Sequence, residues 1–265
     1  MDEPIIAISL TQLSLTLLLA ALVVAISFYE RLGLERDFGI ALIRTVLQLF
    51  LMGYVLEYIF AVERWYLVVL MVAFMVGTAC QAGVGRLKQR DARLFSIMAV
   101  SILAGAGVTI VTVTEVVLQI HPWYNPRYLI PLSGMIIGNA MNSATLGAER
   151  FRSELRLRKN EIETLLSLGF DVRRAAASAR RQAISAALLP TLNSMMVVGV
   201  VTLPGMMTGQ ILSGTSPFIA TRYQIVVMVM ISAAVMVSSF LMVRLLTHRF
   251  FTSAHQIRYY LLRKS

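Results

Sequence analysis

The chain has 265 residues, 57% hydrophobic and 14% charged, with a formal net charge of +10 and a mean hydropathy of +0.73. A soluble domain carries roughly a quarter charged residues, so this composition excludes an ordinary soluble enzyme. The single Cys80 excludes an internal disulfide.

Apolar runs of the length that crosses a bilayer as a helix recur along the chain. Seven are expected, at 5–28, 40–60, 65–85, 94–118, 128–148, 183–201 and 220–246. They predict an all-α, polytopic membrane protein with no room for a separate soluble domain. The first run follows Asp2 and Glu3, where a signal peptide requires positive charge, so it reads as a span. The segments 29–39, 86–93, 149–182 and 247–265 share one side and hold 19 of the 24 Lys and Arg. That asymmetry places the N-terminus outside and the C-terminus in the cytoplasm. It also accounts for the basic balance without nucleic acid as a partner.

Glu57 and Glu115 fall near the external ends of their spans. There a carboxylate either releases a cation or is simply hydrated at the interface. The fifth span opens with "LSGMIIGN", residues 132–139. Gly134 and Gly138 have the G-x-x-x-G spacing that lets helices approach closely. Met135, Asn139 and Asn142 share one helical face, and amides at membrane depth either bond a neighbouring helix or line a path.

The long basic segment 149–182 is the expected cytoplasmic coupling region. Glu154 precedes Arg158 by four residues, a helix-supporting pair. The fifth span is therefore expected to continue as a helix into the cytoplasm. A short amphipathic helix over 160–169 follows, with Ile162, Leu165, Leu166 and Leu168 opposed to Glu161, Glu163 and Thr164, and Gly169 as its C-terminal stop. Such a helix either docks into a partner's groove or lies on anionic lipid. Glu163, Gly169 and the later Leu189-Pro190 partly match the loop by which ABC importers meet their ATPase. A second helix, "DVRRAAASARRQAISAALL", is expected to lead back into the membrane, with Arg173, Arg174, Arg180 and Arg181 forming two pairs seven residues apart on one face.

Residues 203–210, "LPGMMTGQ", echo the earlier element, with Gly205, Met206, Gly209 and Gln210 matching Gly134, Met135, Gly138 and Asn139. Pro204 suits a helix start, and Gly214 and Pro217 an end. A helix of about ten residues is too short to span. It is expected to be re-entrant or to lie at the external interface. The motif G-x-x-x-x-G-K-[ST] is absent from the sequence, so any ATP and magnesium belong to another polypeptide. The 15 Met residues are scattered as apolar filler, and the three His do not cluster. No metal ligand set and no nucleophile–base pair is assigned.

The stretches "PLSGMIIGNAMNSATLGAERF", "EIETLLSLGF" and "PTLNSMMVVGVVTLPGMMTGQILSGTSPFIATRYQIVVMVMI" resemble the Fet-type iron-export permeases, ABC transporter membrane subunits related to plant aluminium-tolerance permeases. The resemblance covers most of the chain. It implies a single permease domain over 1–265 in the bacterial inner (plasma) membrane, a homodimer paired with two separate ATPase subunits, and a part in iron homeostasis under oxidative stress. Its implied cargo is Fe(II). The alternatives are a nucleotide sugar such as UDP-glucose, a lipid-like molecule, or ion-coupled carriage without ATP. The resulting expectation for the path and gate is Glu57, Glu115, Met135, Asn139, Asn142, Met206 and Gln210. Glu161, Glu163, Leu165, Leu166 and Gly169 are expected at the ATPase contact, and Gly134, Gly138, Gly205 and Gly209 at close helix packing.

Overall fold

The computed structural model describes residues 9–87, 91–252 and 254–262. Inside hydrocarbon every backbone N–H and C=O must be satisfied within the protein, and the described backbone is helical with no strand. In chain order the helices are α1 (Leu10–Leu15), α2 (Leu17–Tyr29), α3 (Glu35–Val62), α4 (Trp65–Arg86), α5 (Ala92–Val111), α6 (Pro126–Leu157), α7 (Lys159–Ser167), α8 (Val172–Ala175), α9 (Ala177–Val197), α10 (Gly205–Leu212), α11 (Pro217–Phe250) and α12 (Tyr259–Leu262). A π-helical turn, Thr112–Val117, extends α5.

Among the described residues, five stretches are long and apolar enough to cross a membrane: Thr11–Tyr29, Glu35–Val62, Trp65–Arg86, Ala92–Val117 and Pro217–Phe250. The other two expected spans are helices of lower apolarity. Helix α6 runs on through Glu149, Arg150, Arg152, Glu154 and Arg156, and α9 begins with Arg180 and Arg181 nearby. The expected continuous helix after Asp171 is instead broken at Ala176 into α8 and α9.

Helix α11 is the hub: it packs on α5, α6, α9 and α10, while α6 also packs on α4, α5 and α9. Helices α1 to α3 stand outside this core, and α3 buries only Ile59. Lipid is as apolar as leucine, so helix association there depends on close contact of small residues rather than on escape from water. The core follows that rule. Ala140, Ala144 and Ala148 of α6 and Ala179, Ala183 and Ala187 of α9 are all buried. A Cβ on Gly147 would touch Ala187 at 3.4 Å. At the α5–α11 seam the approach is tighter: a Cβ on Gly105 would collide with Ser238 Oγ and come within 2.7 Å of the Ala234 carbonyl oxygen. Two buried hydroxyls at this seam bond within their own helices: Thr109 Oγ1 donates to the Gly105 carbonyl at 2.6 Å and Ser239 Oγ to that of Val235 at 2.7 Å.

The four glycines expected at close packing do not behave alike. Gly134 meets the flexible end of Met75 at 3.0 Å, whereas a Cβ on Gly138, Gly205 or Gly209 would find nothing within 4 Å in this chain. Their spacing is that of a packing motif, but Gly105 and Gly83 occupy the crowded positions.

Gly105→Ala must push α11 away from α5. It is expected to destabilise the bundle by about 1–3 kcal/mol through overpacking. Gly107→Ala, where a Cβ meets nothing within 4 Å, serves as the control. Thermal unfolding of the two purified variants in the same detergent compares them.

Candidate transport path and coupling region

The segment expected to couple, around the α6–α7 corner, is built on one buried carboxylate. Glu154 lies near the end of α6 with its side chain 5% exposed, and it binds Arg150 at 2.8 Å and Arg158 at 2.9 Å. Arg158 also reaches Glu161 in α7 at 3.3 Å. Charge at Arg158 is reinforced first by its hydrogen bond to Glu154, which moves its pKa above the ordinary arginine value. This chain of ion pairs fixes the corner between α6 and α7.

Helix α7 then seats Ile162 in the core, 1% exposed, with Leu165 and Leu166 half-buried beside it. Leu168, expected on the same apolar face, is 70% exposed because the helix has already ended there. Gly169 adopts φ +85°. Its N–H donates to the Leu166 carbonyl and the Phe170 N–H to that of Leu165, each at 3.1 Å, the 5→2 and 6→1 pattern of a Schellman stop. Glu161 and Leu168 face outward, and Glu163 is half-exposed.

A second ion pair holds the same end of the bundle. Arg249, buried in α11, binds Asp91 at 2.6 Å, and Asp91 also caps α5 by accepting from the Arg93 N–H at 3.0 Å. Nearby, burial lowers the pKa of Arg152, helped by the charges of Arg156 and Arg249.

The glycine–methionine elements fold differently from each other. Residues 132–139 are continuous helix inside α6, whereas 203–210 run from extended chain through the Pro204 N-cap into α10. The echo is one of composition, not of conformation. Helix α10 packs on α11 and ends before Gly214, at φ +88°. Met135 and Met206 are both half-buried against the main core. Asn139 is half-buried and donates to its own helix, at the Met135 carbonyl, 2.8 Å away. Asn142 accepts from Arg86 of α4 at 2.9 Å. The structure thus gives Asn142 a helix-bridging bond. Gln210 buries its Oε1 with no hydrogen-bond partner among the described residues.

Glu57 and Glu115 are exposed on separate elements, α3 and the π-helical turn. Glu57 sits on a shallow, mostly apolar groove beside Leu13, Phe50 and Tyr54. Among the described residues no group of three His, Cys, Asp or Glu converges to hold a metal ion.

Residues 10–251 match the model of UPF0014, described as an uncharacterised protein family. The chain belongs to this family. A UPF0014 membrane protein of Synechocystis is 44% identical over 188 residues, covering 71% of this chain and 73% of its own. The ALUMINUM SENSITIVE 3 protein of Arabidopsis thaliana is 36% identical, covering 91% of this chain and 87% of its own. The probable iron export permease protein FetB of Escherichia coli is also 36% identical, covering 92% and 93%. No solved structure matches.

For this UPF0014 member, two polar positions escaped the sequence reading. Gln224 of α11 is 6% exposed and Ser133 of α6 fully buried, and both side chains carry an oxygen with no bond partner among the described residues. The available signal was an amide inside an otherwise apolar span, since a buried polar group in hydrocarbon is costly and marks a site of use. With Gln210 and Asn139, they are polar groups within the α6, α10 and α11 segments.

Two substitutions separate the parts of the corner. Gly169→Ala forces a β-carbon into the left-handed region and is expected to cost about 1–2 kcal/mol at the α7 stop. Glu154→Gln removes the charge that both arginines share, and amide exchange across α7 is expected to quicken about tenfold, the loss of one charge-assisted bond. Hydrogen exchange followed by mass spectrometry reads both; unchanged α7 exchange in Glu154→Gln would remove the clamp role.

Proposed function

We propose that this UPF0014 protein is the membrane-spanning permease subunit of an ATP-driven exporter, with Fe(II) as cargo and a separate ATPase as partner. The observation that carries this reading is the continuity of α6 with α7. Helix α6 has 32 residues, about 48 Å at 1.5 Å per residue, and its basic end is locked through Glu154 to the amphipathic α7. A push on α7 is thereby delivered along α6 to the segment holding Met135 and Asn139. The FetB name of an Escherichia coli relative, similar over nearly its whole length, supports iron as the cargo.

In this mechanism two permease copies bind two ATPases at the cytoplasmic face, in the inner membrane. ATP and magnesium stay on the ATPase, and its closure moves α7 through Glu161, Glu163, Leu165, Leu166 and the Gly169 stop. Alternating access follows, with the path between α6, α10 and α11. Oxygen ligands there (Asn139, Gln210 and Gln224), with Glu57 and Glu115 toward the external end, exchange a hard divalent cation without trapping it. Met135 and Met206 form the apolar gate.

Co-reconstitution of the permease with its ATPase in liposomes provides the test. Fe(II) is expected to raise ATP hydrolysis severalfold, and Asn139→Ala or Glu115→Gln to lower that stimulation while assembly persists. Stimulation by UDP-glucose in place of Fe(II) would move the cargo to an anion. Transport by the permease alone would overturn the ATP-driven scheme.

A further inference from the structure

At the basic end of the bundle, α8, the start of α9, the last turns of α11 and the chain after α11 enclose a cavity of about 940 Å³. Arg173, Arg180, Arg244, Arg258, His248 and His255 line it. Elsewhere at this end, Arg150 and Arg158 bind Glu154, and Arg249 binds Asp91. None of the four cavity arginines pairs with a carboxylate among the described residues. The acidic residue of the lining, Asp171, already accepts from the Arg174 N–H at 2.9 Å as the cap of α8. Arg180 buries its Nε with no hydrogen-bond partner among the described residues. Its pKa is lowered by burial first and then by Arg173 and Arg244.

Four guanidinium groups around a wide cavity, with no carboxylate partner among the described residues, suit an anion. Arginine's planar fork matches the oxygens of a phosphate group. The position along α11 indicates the carrier. Phe240, Arg244 and His248 recur every four residues, so they form one column on a single helix face. The column starts at a 37% exposed phenylalanine within an apolar helix and descends to the cationic residues. An acyl chain against Phe240 would bring a lipid phosphate to Arg244 and Arg173.

We infer that this cavity binds the phosphate group of an anionic phospholipid, which ties the α8–α9 segment to the end of α11. A metal cation is repelled by the same charge, so the cavity is separate from the path of a cationic cargo.

The test uses the full-length protein purified in detergent. Retained lipid is measured by native mass spectrometry, and thermal shift is measured with added phosphatidylglycerol, phosphatidylcholine or inorganic phosphate. Phosphatidylglycerol is expected to be retained and to raise the melting temperature, and phosphatidylcholine to do neither. Arg173→Gln and Arg244→Gln are each expected to weaken binding about fivefold, as for one basic residue at an anionic surface, with Arg244→Lys largely restoring it. Arg36→Gln, on exposed α3, is expected to change nothing. Saturable stabilisation by inorganic phosphate alone supports a phosphate site filled from solution and overturns the lipid source. Equal binding of both lipids, or an Arg36→Gln loss as large as that of Arg244→Gln, overturns the site. Cavity variants that keep phosphatidylglycerol but lose the ATPase partner overturn it in favour of an acidic protein contact.

Discussion

The bundle depends on the approach of α5 to α11 at Gly105, where α5 brings no side chain to the contact with Ser238 and the Ala234 carbonyl. In water a larger residue would gain from burial. In lipid that gain is absent, and contact between small residues replaces it. Because α11 also carries α6, α9 and α10, the α5 seam sets the position of the helix on which the rest of the core is arranged. Helices α2 and α3, which have no such seam, remain at the edge.

Charge is handled in two ways at the basic end. Glu154 binds two arginines and Asp91 one, and they hold corners of the structure: α6 to α7, and α5 to α11. A buried carboxylate such as Glu154 is retained for geometry more than for stability, since desolvation offsets much of the attraction. Beside them, the arginines of the α8–α11 cavity pair with no carboxylate among the described residues. The first arrangement fixes the protein's parts to one another; the second leaves a cationic surface for something outside the chain. The polar groups toward the other end, Gln210, Gln224 and Ser133, show the same division on a smaller scale. They carry oxygens without partners among the described residues, while Asn142 is used to join α6 to α4.

Much of this was legible in the residues. Length and apolarity announced the spans, because a helix is the backbone's one self-satisfying form there apart from a closed barrel. Glu154 with Arg158, the amphipathic pattern over 160–169 and the stop at Gly169 are local features, and each reappears in the structure. The lower apolarity of α6 reflects Pro131, Asn139 and Asn142 inside the expected span, and that of α9 its polar start at Arg180 and Arg181, which the run lengths alone did not penalise. Leu168 misled because helical periodicity continues past a helix's end on paper but not in space.

The sequence by itself determined the helical membrane class, the short helix after the fifth expected span, and the family. These follow from composition, period and local motif, which need no partner. Only the tertiary structure decided which glycine is crowded, that Asn142 answers to Arg86, and that Arg173 and Arg180 share a cavity with Arg244 and Arg258. Those facts rest on residues far apart in the chain, and their meeting depends on helix rotation and the break at Ala176. No local pattern encodes that relation, since G-x-x-x-G or an arginine pair reads the same whether its face meets another helix, lipid or an open cavity.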